Sequence, residues 1–109
     1  MEIYKSYDSA ANAFIRGFDG KIASISLLEV FTERVPASDT KFIMYGFGTT
    51  NNNEDYGYQV VCELLNPRIL LNVLASKLYD LNHYNAFNIV ERVLRAIDGH
   101  NIYLKCSRH

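Results

Sequence analysis

The sequence predicts a single α+β domain over residues 1–109. Its expected sheet is antiparallel, a three-stranded meander plus a C-terminal strand, and it packs against two C-terminal helices, with a short helix at the N-terminus. Segments rich in β-branched and aromatic residues dominate up to residue 65, whereas apolar residues at helical spacing occupy 67–98. Strands that precede helices are typical of this class, and 109 residues fit one domain.

The N-terminal region predicts a short helix over residues 8–17. Alanines favour a helix there, and apolar side chains recur at helical spacing: Tyr7, Ala11, Phe14 and Phe18. The segment 1–5 is an alternative candidate for a strand. Residues 21–35 fit both a helical stripe and a β-branched strand, but the turn that begins at Pro36 precedes a strongly β-prone segment. A hairpin accounts for both sides of that turn, so a strand is predicted near 22–35.

The next two predicted strands, 41–49 and 56–65, complete the meander. In the first strand, apolar residues lie on both faces: Phe42 and Met44 on one, Ile43, Tyr45 and Phe47 on the other. This pattern indicates a central strand. The face that bears Tyr45 and Phe47 must be covered by the N-terminal helix or by a partner, because a solvated sheet face rarely carries so much apolar surface.

The C-terminal part predicts two helices and a final strand. Asn66 is the expected N-cap and Pro67 the first helical residue. The helix that begins at Pro67 then carries a leucine stripe on one side: Leu70, Leu74, Leu78 and Leu81. A second helix is predicted over 85–98, and Gly99 ends it. Alternation over 102–106 predicts the last strand, whose edge is compatible with pairing to a second copy, so a homodimer stays open.

Charge and cysteine content exclude several functions. With 11 basic and 12 acidic residues, the net charge is −1, which disfavours nonspecific binding to nucleic acid. No apolar run approaches the roughly 18 residues that a membrane span needs. Two cysteines are too few for a disulfide framework, so the sequence predicts a reducing compartment and a cytoplasmic location.

The predicted α-β-β-β-α order of the first five elements resembles that of a double-stranded-RNA-binding domain. In that fold the last helix begins with a basic cluster. Here the corresponding segment, Pro67-Arg68-Ile69-Leu70, supplies one cation. The chain is therefore not assigned to that family, and nucleic acid is disfavoured as a partner.

No residue pattern indicates catalysis, a metal or a cofactor. The candidate pairs for nucleophilic catalysis combine Cys62 or Cys106 with His83 or His100, and no local signature supports them. The alternation of Asn51, Asn53 and Asp55 is similar to the start of a calcium loop, but the glycine and distal glutamate of that loop are missing. We therefore expect a protein without enzymatic activity, metal or cofactor.

The most informative stretch, residues 45–58, combines aromatic side chains, glycines and a polar loop. Tyrosine and phenylalanine provide rigid contact area, and asparagine provides adaptable hydrogen bonds. The stretch predicts a partner-binding surface whose candidate residues are Tyr45, Phe47, Thr49, Asn51, Asn52, Asn53, Glu54, Asp55, Tyr56 and Tyr58. The predicted function is a small cytoplasmic inhibitor or immunity protein of the phage or mobile-element type, a viral anti-defence protein that covers a surface of another protein.

Two alternatives remain. One is a small-ligand or nucleotide-binding site, with a homodimer seam as a further option, formed by Arg68, Tyr79, His83 and Tyr84. The other is a small enzyme that uses His83 or His100. Strand register decides whether Tyr45 and Phe47 share a face with Tyr56 and Tyr58. If all four lie on the helix side they form core, and only the asparagine loop is left as a site.

Overall fold

The structure is a computed structural model that describes residues 2–19, 21, 27–36, 38 and 40–98. Within these residues the chain forms a four-stranded sheet and three helices, an α+β arrangement. In chain order the elements are β1 (Ile3–Tyr4), α1 (Tyr7–Phe18), β2 (Leu27–Arg34), β3 (Lys41–Thr49), β4 (Asp55–Glu63), α2 (Pro67–Asp80) and α3 (Tyr84–Asp98).

The sheet has the strand order β1-β4-β3-β2. The strands β2, β3 and β4 pair antiparallel with their neighbours, as a meander does. The short strand β1 pairs parallel with β4, where Ile3 lies beside Val61 and Tyr4 beside Cys62. The sheet is therefore mixed.

The prediction of a fully antiparallel sheet was wrong in this respect. The described fourth strand comes from the N-terminus, within the segment 1–5 that had been an alternative strand candidate. Two residues are too few to show an alternating pattern, so their partner and direction could not be read from the sequence. The predicted C-terminal strand, 102–106, lies outside the described residues, as does the first part of the predicted strand 22–35.

The burial pattern of strand β3 distinguishes the two faces of the sheet, one fully buried and one half-buried along this strand. Its residues alternate between buried and half-buried along the whole strand. Phe42 and Met44 are fully buried toward the helices, and the strand register places Val30, Thr32, Val60 and Cys62 beside them. The intervening residues of β3 point to the opposite face. We call this opposite face the outward face; it carries Ile43, Tyr45 and Phe47.

All three helices contribute to one core on the other face. Their buried side chains pack with those of β2, β3 and β4: Ala10, Ala11, Phe14 and Phe18 of α1; Leu70, Leu71, Leu74 and Leu78 of α2; Ala86, Val90 and Val93 of α3. The helix α1, which was one of the two candidates for covering Tyr45 and Phe47, therefore lies on the side away from them. None of the described helices is long and apolar enough to cross a lipid bilayer.

Side chains cap the N-termini of α1 and α2. The Ser6 hydroxyl accepts a hydrogen bond of 3.0 Å from the Ser9 amide at the start of α1. The Asn66 side chain accepts one of 2.9 Å from the Arg68 amide at the start of α2, where Pro67 is the first helical residue. Such caps satisfy amides that have no partner within the helix.

Candidate functional site

The strand register divides the aromatic residues of the stretch 45–58 between the two faces. Tyr45 pairs with Gln59 and Phe47 with Gly57, whereas Tyr56 and Tyr58 pair with glycines of β3. Paired residues share a face. Tyr45 and Phe47 therefore lie on the outward face, and Tyr56 and Tyr58 lie on the helix face, so the two pairs do not meet.

Tyr56 and Tyr58 pack between β4 and helix α1. The Tyr58 ring centre is 6.5 Å from that of Phe14 and 6.1 Å from that of Phe18. The Tyr56 ring meets Phe18 edge to face at 5.6 Å. Gly17 permits this approach, because a Cβ atom there would overlap the Tyr58 ring. We therefore remove both tyrosines from the candidate surface.

Tyr56 also completes the C-terminal end of α1. The last four carbonyls of a helix have no partner within it. Here the Asp19 amide bonds to the Ile15 and Arg16 carbonyls, and the Lys21 amide bonds to the Phe18 carbonyl. The Gly17 carbonyl, for which the described residues supply no backbone donor, accepts a 2.6 Å hydrogen bond from the Tyr56 hydroxyl. A side chain of β4 thus provides a hydrogen-bond donor to the C-terminal end of α1.

The Tyr56→Phe substitution should therefore destabilise the fold, because it removes the hydroxyl and leaves the Gly17 carbonyl without this donor. We expect a loss of about 1 kcal/mol in the free energy of unfolding, measured by urea denaturation. Tyr58→Phe is the matched control, since no hydrogen bond of the Tyr58 hydroxyl is recorded in the described part of the chain. Equal stability of the two variants would contradict this role of Tyr56.

The outward face carries a row of three stacked aromatic rings. The ring centre of Phe31 in β2 lies 4.8 Å from that of Tyr45, with an interplanar angle of 24°. It lies 6.0 Å from the ring centre of Phe47, with an angle of 21°. Phe31 is 7% exposed, whereas Tyr45 and Phe47 are half-buried. Burial raises the pKa of the Tyr45 phenol, and the Glu33 carboxylate adds to the rise. We call Phe31, Tyr45 and Phe47 the aromatic row.

The backbone at Gly57, which has no side chain, packs against one ring of the aromatic row. A Cβ atom at Gly57 would lie 2.9 Å from Phe47 Cε1 and 3.0 Å from Cδ1, closer than side chains normally approach. The Phe47 ring therefore lies over the bare backbone of β4. The sequence singled out neither Gly57 nor Phe31 for this surface. Alternation along Glu29-Val30-Phe31-Thr32-Glu33 was the signal for Phe31, but the ambiguity of residues 21–35 obscured it.

The polar loop between β3 and β4 begins at the end of the outward face. The Thr50 amide bonds to the Glu54 carbonyl at 2.9 Å, and the Thr50 hydroxyl accepts from the Glu54 amide at 3.1 Å. Asn53 adopts a φ of 63°, a left-handed conformation that asparagine tolerates. Backbone bonds thus shape the loop, and its exposed side chains are available to a partner: Asn51, Asn52, Asn53, Glu54 and Asp55.

The residues of the alternative ligand site are only partly brought together. Tyr79 and Tyr84 meet edge to face at 5.4 Å beside the turn that contains His83. Arg68 lies at the other end of α2, eleven residues or about 16 Å from Tyr79 along the helix. Phe87 of α3, a half-buried residue that packs against the core, joins the ring cluster, with its ring centre 5.2 Å from that of Tyr79. Leu81, predicted to extend the buried leucine stripe, is instead 52% exposed after the helix end.

The cysteine that the structure describes lacks the features of a nucleophile. Cys62 is fully buried, and burial raises the pKa of its thiol to about 12, so the thiol is protonated at neutral pH. No recorded hydrogen bond links Cys62 to His83 in the described part of the chain. The other candidates, His100 and Cys106, lie outside the described residues. Among the residues that were placed, no group of three or more His, Cys, Asp or Glu side chains could hold a metal ion.

The fold and the outward face define a class by architecture: an α+β protein whose described helices cover one face of the sheet, with an aromatic row on the other. Comparisons with protein-family models, with curated proteins and with solved structures found no match.

Proposed function

We propose that this chain is a small protein-binding module without catalytic activity, which acts by covering a surface of a partner protein with its outward face. The observation that carries the proposal is the aromatic row on the face opposite the described helices. Its rings are held in place by stacking on one another and by the contact of the Phe47 ring with the backbone at Gly57. Because these rings are already held in place, they lose little side-chain entropy when a partner binds. Aromatic residues contribute strongly to binding energy at interfaces partly for this reason.

The loop beside the row complements it. Its exposed amides and carboxylates form hydrogen bonds in several geometries, whereas the aromatic rings fix position. Rigid rings at the centre and adaptable polar groups at the rim match the usual anatomy of an interface. The revised candidate surface therefore consists of Ile43, Tyr45, Phe47, Thr49, Asn51, Asn52, Asn53, Glu54 and Asp55.

The proposal extends to the kind of binding protein. A compact, near-neutral chain of 109 residues without a catalytic signature fits the inhibitors and immunity proteins of phages and mobile elements in size and composition. Its place would be the cytoplasm, where a free thiol such as that of Cys62 stays reduced. This part of the proposal rests on analogy of size and composition.

The nucleotide-binding alternative is less well supported. A nucleotide needs a cation or a set of amides for its phosphates as well as a ring for its base. The ring cluster at Tyr79 and Tyr84 offers rings, but Arg68 lies at the far end of the same helix. We therefore favour the protein-binding proposal.

The proposal predicts site-specific crosslinking from the outward face. The photoreactive residue p-benzoylphenylalanine, placed at Tyr45 in the organism that encodes the chain, should form one discrete adduct with a partner protein. Asn72, an exposed residue in the middle of α2, is the control position and should form none. Detection is by denaturing gel and mass spectrometry.

Two outcomes would contradict the proposal. One is the absence of an adduct from both Tyr45 and Phe47 while the variants remain folded by circular dichroism. The other is an adduct formed only from Tyr79, which would move the binding surface to the turn between α2 and α3.

A further inference from the structure

Strand β4 is paired along its whole length on one side and over two residues on the other. Its register with β3 runs from Asp55 to Glu63. On the opposite side, within the part of the chain that the structure describes, β4 pairs with β1 at Val61 and Cys62. Residues 55–59 of β4 therefore have no strand beside them among the described residues. We call this segment the open edge.

One hydrogen bond determines which backbone groups point to the open edge. The Thr50 amide bonds to the Glu54 carbonyl, which makes these residues a hydrogen-bonded pair at the end of the β3–β4 ladder. Bonded and non-bonded pairs alternate along antiparallel strands, so Asp55, Gly57 and Gln59 belong to non-bonded pairs. Their amides and carbonyls point away from β3. The open edge thus presents these groups in a row, and all three residues are exposed.

The open edge is held in place and lacks the usual protection against strand pairing. Tyr56 and Tyr58, which alternate with the three exposed residues, are anchored against α1. Natural edge strands are protected by proline, lysine or a bulge. Residues 55–59 contain neither proline nor lysine, and their register with β3 has no shift. Their one charge, that of Asp55, lies at the end of the segment. An ordered strand of this kind favours the addition of a further strand.

A cavity of about 220 Å³ lies where the open edge meets the N-terminal segment. It is lined by residues 58–61 of β4, by Tyr4 and by Glu2. Continuing the register of β1 back by one residue places Glu2 beside Val60. The open edge therefore ends at Glu2, and the cavity leaves room there for the end of an added strand.

The position of Glu2 disfavours a second copy of this chain as the added strand. If residues 55–59 paired with themselves across a two-fold axis, Glu54 of each copy would lie beside Val60 of the other, where Glu2 already lies. The two carboxylates would also repel each other. A separate chain has neither constraint. No ion pair of Glu54 or Asp55 is recorded within the described residues, so this acidic end attracts a basic residue of that chain.

We propose that the open edge accepts an extended segment of a partner protein as a fifth strand, antiparallel to β4, with a basic residue beside Glu54 and Asp55. The backbone groups of Asp55, Gly57 and Gln59 provide the hydrogen bonds, and antiparallel pairs are the more stable kind. Alternate side chains of the added strand then lie on the outward face, and those between them lie beside Tyr58. The inference goes beyond the proposed function, because it concerns the edge of the sheet and not its outward face.

The probe is the peptide acetyl-Thr-Val-Thr-Val-Thr-Lys-Lys-amide, titrated into the purified full-length chain labelled with ¹⁵N. Its threonines pair with Gln59, Gly57 and Asp55, and its lysines lie at the acidic end. We expect the amides of these three residues to shift and to exchange more slowly with solvent when the peptide is bound. The amides of Tyr56 and Tyr58, which already bond to β3, should exchange slowly with and without the peptide.

Two N-methylated peptides test whether the contact is a β-ladder. Methylation of the two valine amides spares the amides that face β4 and should leave the affinity within about twofold of that of the parent peptide. Methylation of the last two threonine amides removes two hydrogen bonds to β4. It should weaken binding at least about tenfold.

Variants of the protein assign the binding to this edge. Gln59→Pro removes an amide that points to the open edge without removing a bond to β3, so the fold should persist while binding weakens about fivefold or more. Gln59→Ala keeps the amide and is the matched control, with binding unchanged. Circular dichroism checks that both variants are folded.

Charge variants test the basic residue of the partner segment. Glu54→Gln combined with Asp55→Asn should weaken peptide binding about threefold and reduce its dependence on salt. Asp80→Asn combined with Glu91→Gln removes the same charge from the helical layer and should leave binding unchanged. Equal effects of the two double variants would overturn the assignment of the basic residue to the acidic end.

Three further results would overturn the inference: equal binding of the two methylated peptides, shifted amides that lie away from β4, or Gly57 and Gln59 amides that are protected from exchange without any peptide. If that protection appears only as the protein concentration rises, a second copy occupies the edge. None of these results affects the crosslinking expected from Tyr45. Conversely, a failed crosslink at Tyr45 and Phe47 leaves the open edge unaffected.

Discussion

Phe18→Ala should cause the largest loss of stability among the single substitutions considered. Phe18 is fully buried and contacts three other rings, those of Phe14 at 5.3 Å, Tyr56 at 5.6 Å and Tyr58 at 6.1 Å. Truncation removes the buried ring and leaves a cavity among the others. We expect the free energy of unfolding to fall by about 3–5 kcal/mol, measured by urea denaturation. For a domain of typical stability, about 5–15 kcal/mol, this is a large fraction of the total.

Phe47→Ala is the matched control on the other face of the sheet. Phe47 is half-buried and its ring contact is with Phe31 at 6.0 Å, so truncation returns less apolar area to water. The expected loss is about 1–2 kcal/mol. If Phe47→Ala destabilised the protein as much as Phe18→Ala, the assignment of core to the helix face alone would be wrong.

Gly46→Ala should also destabilise the protein strongly, although alanine normally favours a folded strand over glycine. Gly46 is buried in β3 below helix α1. A Cβ atom there would overlap Phe14 Cζ and lie 2.9 Å from Phe18 Cζ, and both rings are fully buried in the core. The helix must move away from the sheet. Overpacking of this kind costs about 3 kcal/mol, well above the roughly 0.4–1 kcal/mol gained from reduced chain entropy.

Gly57→Ala tests whether this loss arises from the helix rather than from the loss of glycine. The new Cβ would lie 2.9 Å from the Phe47 ring, but that ring is half-buried on the outward face, so its displacement costs less than that of a ring confined between sheet and helix. We therefore expect a loss of about 1 kcal/mol or less by urea denaturation. A loss at Gly57 equal to that at Gly46 would contradict the close approach of α1 as the cause.

The α+β class was predictable because periodicity is a property of each segment alone. Asn66 and Pro67 marked the start of α2, and alternation along β3 separated Phe42 and Met44 from Tyr45 and Phe47. Such signals require no knowledge of distant residues. The pairing of β1 with β4 joins residues about 58 positions apart, and its two-residue strand carries no pattern. Nothing in the local sequence could have specified it.

For a related reason, the sequence predicted which aromatic residues share a strand face, but not which face of the sheet each pair occupies. The sequence placed Tyr45 with Phe47, and Tyr56 with Tyr58, because residues two apart in a strand share a face. It did not relate one pair to the other, since a register shift of one residue would have exchanged the faces of a whole strand. The loop that sets the register depends on the Thr50–Glu54 bonds and on the left-handed Asn53, details that composition does not determine.

The alternation of β3 has a consequence for how this protein can change over time. Substitutions at Ile43, Tyr45 or Phe47 alter what the sheet presents, while their neighbours Phe42 and Met44 keep the helices in place. Under the proposed function, the positions for recognition and those for folding are interleaved but separate along one strand. Point substitutions on the outward face would then change the proposed binding surface without requiring a new core, and the same separation makes this face a suitable site for a randomised library.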